Sequence, residues 1–128
     1  MEMRVYYEDT DAGGVVYYAN YLRYLERGRT EFLRARGVSL RELQERGYIF
    51  PVVRVEIDYR SPALYDDLIR IETTVLELGN ASFTLGHQVV RASDEVLLSE
   101  GKVTLACIGP NKKVRRLPAE VLGALREC

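Results

Sequence analysis

Residues 8–21, EDTDAGGVVYYANY, place carboxylates, adjacent glycines and an apolar aromatic run directly before a helical pattern. Free N–H groups at a helix start can stabilise negative charge that develops on an oxygen atom. A carboxylate beside them can act as nucleophile or general base. Gly13 and Gly14 let the backbone pass close to a ligand, and Val15 and Val16 would keep water out of such a site. The stretch is therefore suited to reactions at a polarised carbonyl group.

A purely structural interpretation of the same residues stays open at this point. An aspartate before a helix is most often a cap or an Asx turn, so position alone favours a structural role for Asp11. Asp9 is interpreted as a residue that orders the loop. Taken alone, Gly13-Gly14 would be a turn and the tyrosines would be core residues.

The long helix that positions this loop is predicted over residues 18–36. Apolar side chains fall on one broad side of it with a 3.6-residue period, and most charged side chains fall on the other. Arg29 interrupts the apolar side and is expected to have a buried carboxylate or carbonyl partner. Gly37 stands where a C′ residue belongs, and Ser39 with Glu42 forms a capping box that opens a short second helix.

Strand patterns surround these helices. A short strand is predicted at residues 3–7, and four longer ones follow the helices at residues 52–60, 67–79, 82–93 and 95–109. The first of the four alternates apolar and charged residues, which predicts a half-buried strand.

Short connections between successive strands favour an antiparallel sheet. Gly79-Asn80 indicates a hairpin, Gly101 is a candidate bulge, and Pro118 opens a C-terminal helix predicted over residues 118–128. We therefore expect an α+β fold in which one long helix packs against a curved antiparallel sheet. Residues 1–128 are expected to form a single domain, and edge-to-edge pairing of two subunits would protect the long strands.

The composition is that of an ordinary globular chain, with 47% hydrophobic residues, 29% charged residues and a formal charge of −1. This charge gives no global attraction to nucleic acid or acidic membranes, so nucleic-acid binding is not expected. No apolar run has the length of a membrane span, and the N-terminus has no signal-peptide pattern. Cys107 and Cys128 form neither a disulfide framework nor a metal-ligand spacing, so we expect no metal, no cofactor and a cytoplasmic location.

A family resemblance rests on two stretches. YYEDTDAGGVVYYANYLRYLERGRTEFLR (residues 6–34) closely resembles the hotdog-fold acyl-CoA thioesterases, in the branch of 4-hydroxybenzoyl-CoA thioesterase and the Tol-Pal-cluster acyl-CoA thioesterases. YRSPALYDDLIRIET (residues 59–73) is similar to the strand-turn-strand passage of the same family. With the strand order, the likeness extends over nearly the whole chain.

The resemblance implies hydrolysis of short, medium or aryl acyl-CoA thioesters, without a cofactor, at a site between two subunits. Asp11 would attack the thioester carbonyl or activate the water that does. The N–H of Tyr18, with that of Tyr17 as a second candidate, would polarise the carbonyl oxygen. A homodimer or homotetramer is expected, with acyl carrier protein as an alternative acyl carrier. The expected substrate-binding residues are Gly14, Val15, Val16, Tyr17, Tyr21 and Arg60.

Two positions depart from the family pattern. Tyr18 stands where many Tol-Pal-type relatives have histidine, so a proton shuttle at that position is missing. Residues 79–81 are neutral, whereas some members carry basic residues on this hairpin facing the nucleotide phosphates. The remaining candidate cations are Arg60 and those of residues 112–116, which we call the basic loop. A solvated surface is an equally good interpretation of that loop.

Two other functions remain open. A non-catalytic binding protein for acyl-CoA or acyl carrier protein would keep the pocket without needing Asp11. A hotdog hydratase would need a histidine beside a carboxylate near the helix, but His87 is predicted to be a satisfied histidine within a strand. Glu26 is the second candidate for a catalytic carboxylate, although a surface pair with Arg23 or Arg27 is the simpler interpretation.

Overall fold

The computed structural model describes residues 1–126, which form an α+β fold with a five-stranded antiparallel sheet in the order β1-β3-β4-β5-β2. The strands are β1 (Glu2–Arg4), β2 (Val52–Tyr59), β3 (Leu68–Leu78), β4 (Ser82–Arg91) and β5 (Leu97–Ala106). The helices are α1 (Asn20–Ala35), α2 (Leu40–Glu45) and α3 (Ala119–Arg126). None of the helices within residues 1–126 has the length and apolar character needed to cross a membrane.

The core lies between α1 and the inner face of the sheet, where the helix packs against β3 and β4. Gly28 allows the closest approach, because a Cβ at this position would lie 2.7 Å from Cγ2 of Ile71. The buried residues of α1 are Tyr21, Tyr24, Leu25, Gly28 and Leu33. This arrangement confirms the predicted long helix against an antiparallel sheet.

The predicted end of α1 and start of α2 are confirmed by local contacts, whereas α1 begins at Asn20, two residues after its predicted start. Gly37 follows α1 with a φ of 80°, a conformation that glycine adopts without steric cost. The Ser39 hydroxyl accepts a hydrogen bond of 3.3 Å from the Glu42 N–H and so begins α2. The α3 helix follows Pro118 as expected, but the last two residues of its predicted span lie outside the described residues.

Two strand predictions need correction. The first strand ends at Arg4 because Asp9 accepts the Tyr6 N–H through its carboxylate, and the chain enters a 3-10 turn at Tyr7–Asp9. Gly101 is not a bulge, since it pairs regularly with His87. Its role is close packing, because a Cβ there would lie 3.1 Å from Cδ1 of Leu25.

Strand β2 is far more exposed than predicted. Its apolar residues Val53, Val55 and Tyr59 are 59%, 39% and 48% exposed, respectively, and within the single chain only Ile57 is half-buried. The reason is topological, because β2 is an edge strand whose single neighbour is β5. An eight-residue edge strand with an uncovered apolar face is a surface that proteins normally pair or cover.

Candidate active site

The loop before α1 is a tight, internally bonded turn. The Asp11 N–H donates to the Val15 carbonyl at 2.9 Å, and the Gly14 N–H donates to the Asp11 carbonyl at 3.0 Å. Gly14 has a φ of 80°, which explains why glycine occupies this position. The exposed Asp11 side chain accepts the Gly13 N–H through Oδ1 at 2.8 Å, which is an Asx turn. The other carboxylate oxygen of this exposed side chain has no hydrogen bond within residues 1–126.

The Asp9 carbonyl fastens this loop to the start of α1. It accepts hydrogen bonds from the Tyr17 N–H at 3.0 Å and from Nδ2 of Asn20 at 2.8 Å. On the other side, the Val16 N–H donates to the Ala63 carbonyl at 2.9 Å. Asn20 was missed by sequence reasoning, because its partner lies across a loop whose path the sequence does not show.

The two backbone donors proposed from the sequence are not equivalent. The Tyr17 N–H is already bonded to Asp9 and is not available to a substrate. The Tyr18 N–H has no acceptor within residues 1–126, since α1 begins two residues later at Asn20. An N–H in this position can bond to an incoming oxygen.

An aromatic pocket of about 290 Å³ lies beside the Tyr18 backbone. The rings of Tyr18, Tyr21 and Tyr59 form its walls, and two of their hydroxyls are already bonded. The Tyr21 hydroxyl accepts the Ala63 N–H at 3.1 Å, and the Tyr59 hydroxyl donates to the Tyr18 carbonyl at 3.1 Å. The pocket therefore presents mainly aromatic surface. Its lining residues are Val16, Tyr18, Tyr21, Tyr59, Arg60, Ser61 and Pro62.

The pocket includes Val16, Tyr18, Tyr21 and Arg60 from the predicted substrate-binding and catalytic residues. The others, Gly14, Val15, Tyr17 and Asp11, lie on the adjoining loop and do not line it. Asp11 is nevertheless close to the pocket along the chain, because its N–H donates to the carbonyl of Val15, the neighbour of the lining residue Val16. The Tyr18 phenol, followed by burial and the Asp11 carboxylate, raises the pKa of Tyr17. In the single chain, Asp11 and the pocket are thus neighbours rather than one closed site.

The candidate cation Arg60 is paired within the chain. Its guanidinium contacts the Glu100 carboxylate at 2.6 Å, and this contact raises the pKa of Arg60. A phosphate group would have to compete with Glu100 for it. Within residues 1–126, no three His, Cys, Asp or Glu side chains are grouped as a metal site would require.

The second candidate carboxylate, Glu26, is exposed on α1 and accepts a hydrogen bond of 3.3 Å from the Thr30 hydroxyl. The expected surface pair with Arg23 or Arg27 is not among the ion pairs of residues 1–126. The buried partner expected for Arg29 is also missing within residues 1–126. The carboxylate that affects the pKa of the Arg29 guanidinium there is that of Glu26.

His87 lies on the inner face of β4, with only 2% of its surface exposed. Its Nδ1 is 3.0 Å from the Thr73 hydroxyl, while Nε2 has no partner within residues 1–126. Burial, followed by the positive charge of Arg29, lowers the pKa of His87 to about 4. With Thr73 as the hydrogen-bond partner of its ring and Arg29 as the charge that affects its pKa, this buried imidazole does not form the histidine–carboxylate pair that a hydratase needs.

The burial of His87 predicts a specific loss of stability in acid. Because its pKa is lower in the folded state, the unfolded chain binds the proton first, and stability falls as the pH drops from about 6.5 to 4. The full shift corresponds to roughly 3 kcal/mol. Urea unfolding at pH 7 and at pH 4.5 measures this loss in the wild type and in His87→Gln. If the stability difference between the two proteins is the same at both pH values, His87 is not responsible.

The long helix, the curved antiparallel sheet and the glycine loop at the helix start together define a hotdog-fold thioesterase. The family model of the thioesterase-like superfamily matches residues 5–125. The chain belongs to this superfamily.

Relatives and solved structures agree with this assignment. The chain is 38% identical over 126 residues to acyl-CoA thioester hydrolase YbgC of Escherichia coli O6:H1, covering 98% of this chain and 93% of the relative. It is 42% identical over 124 residues to acyl-CoA thioesterase YbgC of Haemophilus influenzae, covering 95% and 90%. A 1,4-dihydroxy-2-naphthoyl-CoA thioesterase from Synechocystis superposes with a TM-score of 0.94 at 26% identity, covering 99% of this chain and 94% of that one.

Proposed function

We propose that this protein hydrolyses acyl-CoA thioesters to a free acid and coenzyme A. The observation that carries the proposal is the Tyr18 N–H, a donor without an acceptor in residues 1–126, on a residue that lines the aromatic pocket. A thioester carbonyl bonded to this N–H would have its developing oxyanion stabilised in the transition state. The relatives named as acyl-CoA thioesterases support this choice of substrate.

Asp11 supplies the attack in this proposal, by one of two routes. As nucleophile, its carboxylate bonds to the carbonyl carbon, the C–S bond breaks, and water then hydrolyses the resulting anhydride. As general base, it takes a proton from a water molecule whose oxygen attacks the same carbon. In both routes the coenzyme A thiolate leaves and takes up a proton. The Asx turn with Gly13 holds one carboxylate oxygen and leaves the other for this chemistry.

Short or medium acyl groups are the proposed substrates, with aryl groups as the second choice. The pocket of about 290 Å³ has room for a small acyl group against tyrosine rings. An aromatic acyl group would gain edge-to-face contacts with the same rings. Acyl carrier protein is a further candidate carrier of the acyl group.

We also propose that the protein acts in the cytoplasm, where the buried thiol of Cys107 would stay reduced.

The working unit is proposed to be a dimer, or a dimer of dimers, in which two β2 edges pair across a two-fold axis. The exposed apolar face of β2 supports this pairing. Val52 pairs with Leu105 at one end of β2, and Tyr59 pairs with Ser99 at the other end. At ~3.3 Å per residue, Val52 and Tyr59 lie about 23 Å apart along the strand. Antiparallel pairing would set the first residues of the partner's β2 beside the site at Tyr59.

This pairing gives the basic loop a candidate role. The loop follows β5 at the Val52 end, so in its own subunit it is remote from Tyr59. It is held firmly, because Arg115 donates to the Gly47 carbonyl at 3.1 Å and stacks on the Tyr48 ring at 3.8 Å. Lys112 and Lys113 remain exposed. In the proposed dimer, the partner's copy of this loop would offer cations for the coenzyme A phosphates.

The decisive experiment measures hydrolysis of a series of acyl-CoA thioesters and one aryl-CoA thioester, each beside the matching pantetheine thioester. We expect turnover of the coenzyme A substrates without added metal. If protein cations bind the phosphates, KM should be lower for coenzyme A thioesters than for pantetheine thioesters. Failure to cleave any thioester in the series would refute the proposed function.

One observation favours the non-catalytic alternative, in which the protein binds acyl-CoA without cleaving it. The Asx turn with Gly13 is by itself a sufficient structural reason for an aspartate at position 11. The same series separates the two functions, since a binding protein would hold coenzyme A thioesters in a titration yet release no thiol.

A further inference from the structure

Tyr59, the last residue of β2, joins the edge strand to the turn before α1. Its ring centroid lies 5.2 Å from that of Tyr21 and 6.5 Å from that of Tyr18, with both pairs in edge-on geometry. Its hydroxyl donates to the Tyr18 carbonyl at 3.1 Å, across 41 residues of sequence. Tyr59 therefore contacts both the wall of the aromatic pocket and the backbone of the residue that carries the free N–H.

The residues around the Tyr18 N–H are held on both sides. On the N-terminal side, Tyr17 is fixed by its N–H bond to the Asp9 carbonyl, and Asn20 bonds to the same carbonyl. On the C-terminal side, the Tyr18 carbonyl accepts the Tyr59 hydroxyl at 3.1 Å and the Tyr21 N–H at 3.3 Å. The Tyr17 carbonyl, in the same peptide unit as the Tyr18 N–H, accepts the Asn20 N–H at 2.9 Å. Burial, followed by the nearby Tyr18 phenol, raises the pKa of Tyr59, so its hydroxyl keeps its proton at neutral pH. With both neighbouring contacts in place, the direction of the Tyr18 N–H is restricted.

We propose that Tyr59 is a positioning residue that aims the Tyr18 N–H at the thioester oxygen, and that its ring limits the length of the acyl group. This inference rests on the proposed thioesterase function. The hydroxyl serves the first role, since an oxyanion donor is effective only when it is held in place before the reaction. The ring serves the second, because it lines the pocket together with Val16 and Pro62 and takes up space that an acyl chain could otherwise fill.

The two roles predict different kinetic effects for two substitutions. Tyr59→Phe keeps the ring and removes the hydroxyl, so kcat should fall about tenfold while KM and the Kd of a non-hydrolysable thioether analogue stay within about twofold. Tyr59→Ala removes the ring as well, so the preferred acyl chain should become longer. If Tyr59 served folding alone, Tyr59→Phe would not lower kcat selectively at an unchanged KM, and Tyr59→Ala would not change the preferred acyl chain.

Tyr65→Phe is the matched control, because Tyr65 is an exposed tyrosine that packs against the Tyr7 ring at 5.8 Å and does not line the aromatic pocket. Sedimentation and thermal unfolding of all three variants confirm that assembly and folding are intact. A wild-type kcat in Tyr59→Phe, or an equal loss of kcat in Tyr65→Phe, would overturn the positioning role. An unchanged chain-length profile in Tyr59→Ala would overturn the role of the ring. If the wild type is active, these results for the Tyr59 variants contradict only the inference about Tyr59. If the wild type is inactive, the proposed function itself is refuted.

Discussion

Asp11→Asn is expected to lower kcat for acyl-CoA hydrolysis by at least about 10²-fold. This is the smallest loss expected when a general base is removed, and removal of a nucleophile should cost considerably more. The asparagine amide can neither attack the carbonyl carbon nor accept a proton at neutral pH. Its Oδ1 can still accept the Gly13 N–H, so the Asx turn and the loop should persist. Steady-state kinetics, with thermal unfolding and sedimentation on the same protein, measures the loss.

The design of this variant separates the catalytic role from the structural one. A residue that only orders the loop would lose little in Asp11→Asn, because the hydrogen bond to Gly13 survives the change. Binding of a non-hydrolysable thioester should also persist, since the Tyr18 N–H is untouched. The control is Glu26→Gln, whose rate should stay within about tenfold of the wild type, or roughly 1.4 kcal/mol of barrier. Wild-type turnover in Asp11→Asn would remove Asp11 from the mechanism, and an inactive Glu26→Gln would assign the chemistry to the helix carboxylate.

Val55→Asp should give the second large effect, by separating the proposed dimer. Val55 lies near the middle of β2, so in an edge-to-edge dimer the two new carboxylates would face each other close to the two-fold axis. Two buried like charges without partners would cost several kcal/mol, which is enough to weaken association by about a thousandfold or more. We expect a monomer in sedimentation equilibrium and a loss of nearly all thioesterase activity, because the site would lack its second subunit.

Leu76→Asp provides the comparison for this experiment. Leu76 is 48% exposed on β3, away from the β2 edge, so the same change of charge should leave assembly and activity close to wild type. If Val55→Asp is an active monomer, the proposal that the site lies between subunits is wrong. If it remains a dimer, the contact uses another surface.

Features with a local cause could be predicted from the sequence. The 3.6-residue period specifies which side of α1 is apolar, and Gly37 and Ser39 mark helix ends through contacts within a few residues. Alternation along the chain indicates the strands, and the glycines before α1 indicate a sharp turn. All of these depend on neighbouring residues, so their physical reasons can be read along the chain.

What the tertiary structure decided depends on residues far apart in sequence. Alternation predicted a half-buried β2, but burial depends on the strand order, and β2 lies at the edge. The Tyr17 and Tyr18 N–H groups are alike in sequence, and only the folded loop shows that Asp9 occupies the first. The bond from Tyr59 to the Tyr18 carbonyl exists because the sheet register brings the end of β2 to the start of α1. Local patterns determine backbone conformation, whereas the partner of a donor is set by register and topology, which no short stretch of sequence contains.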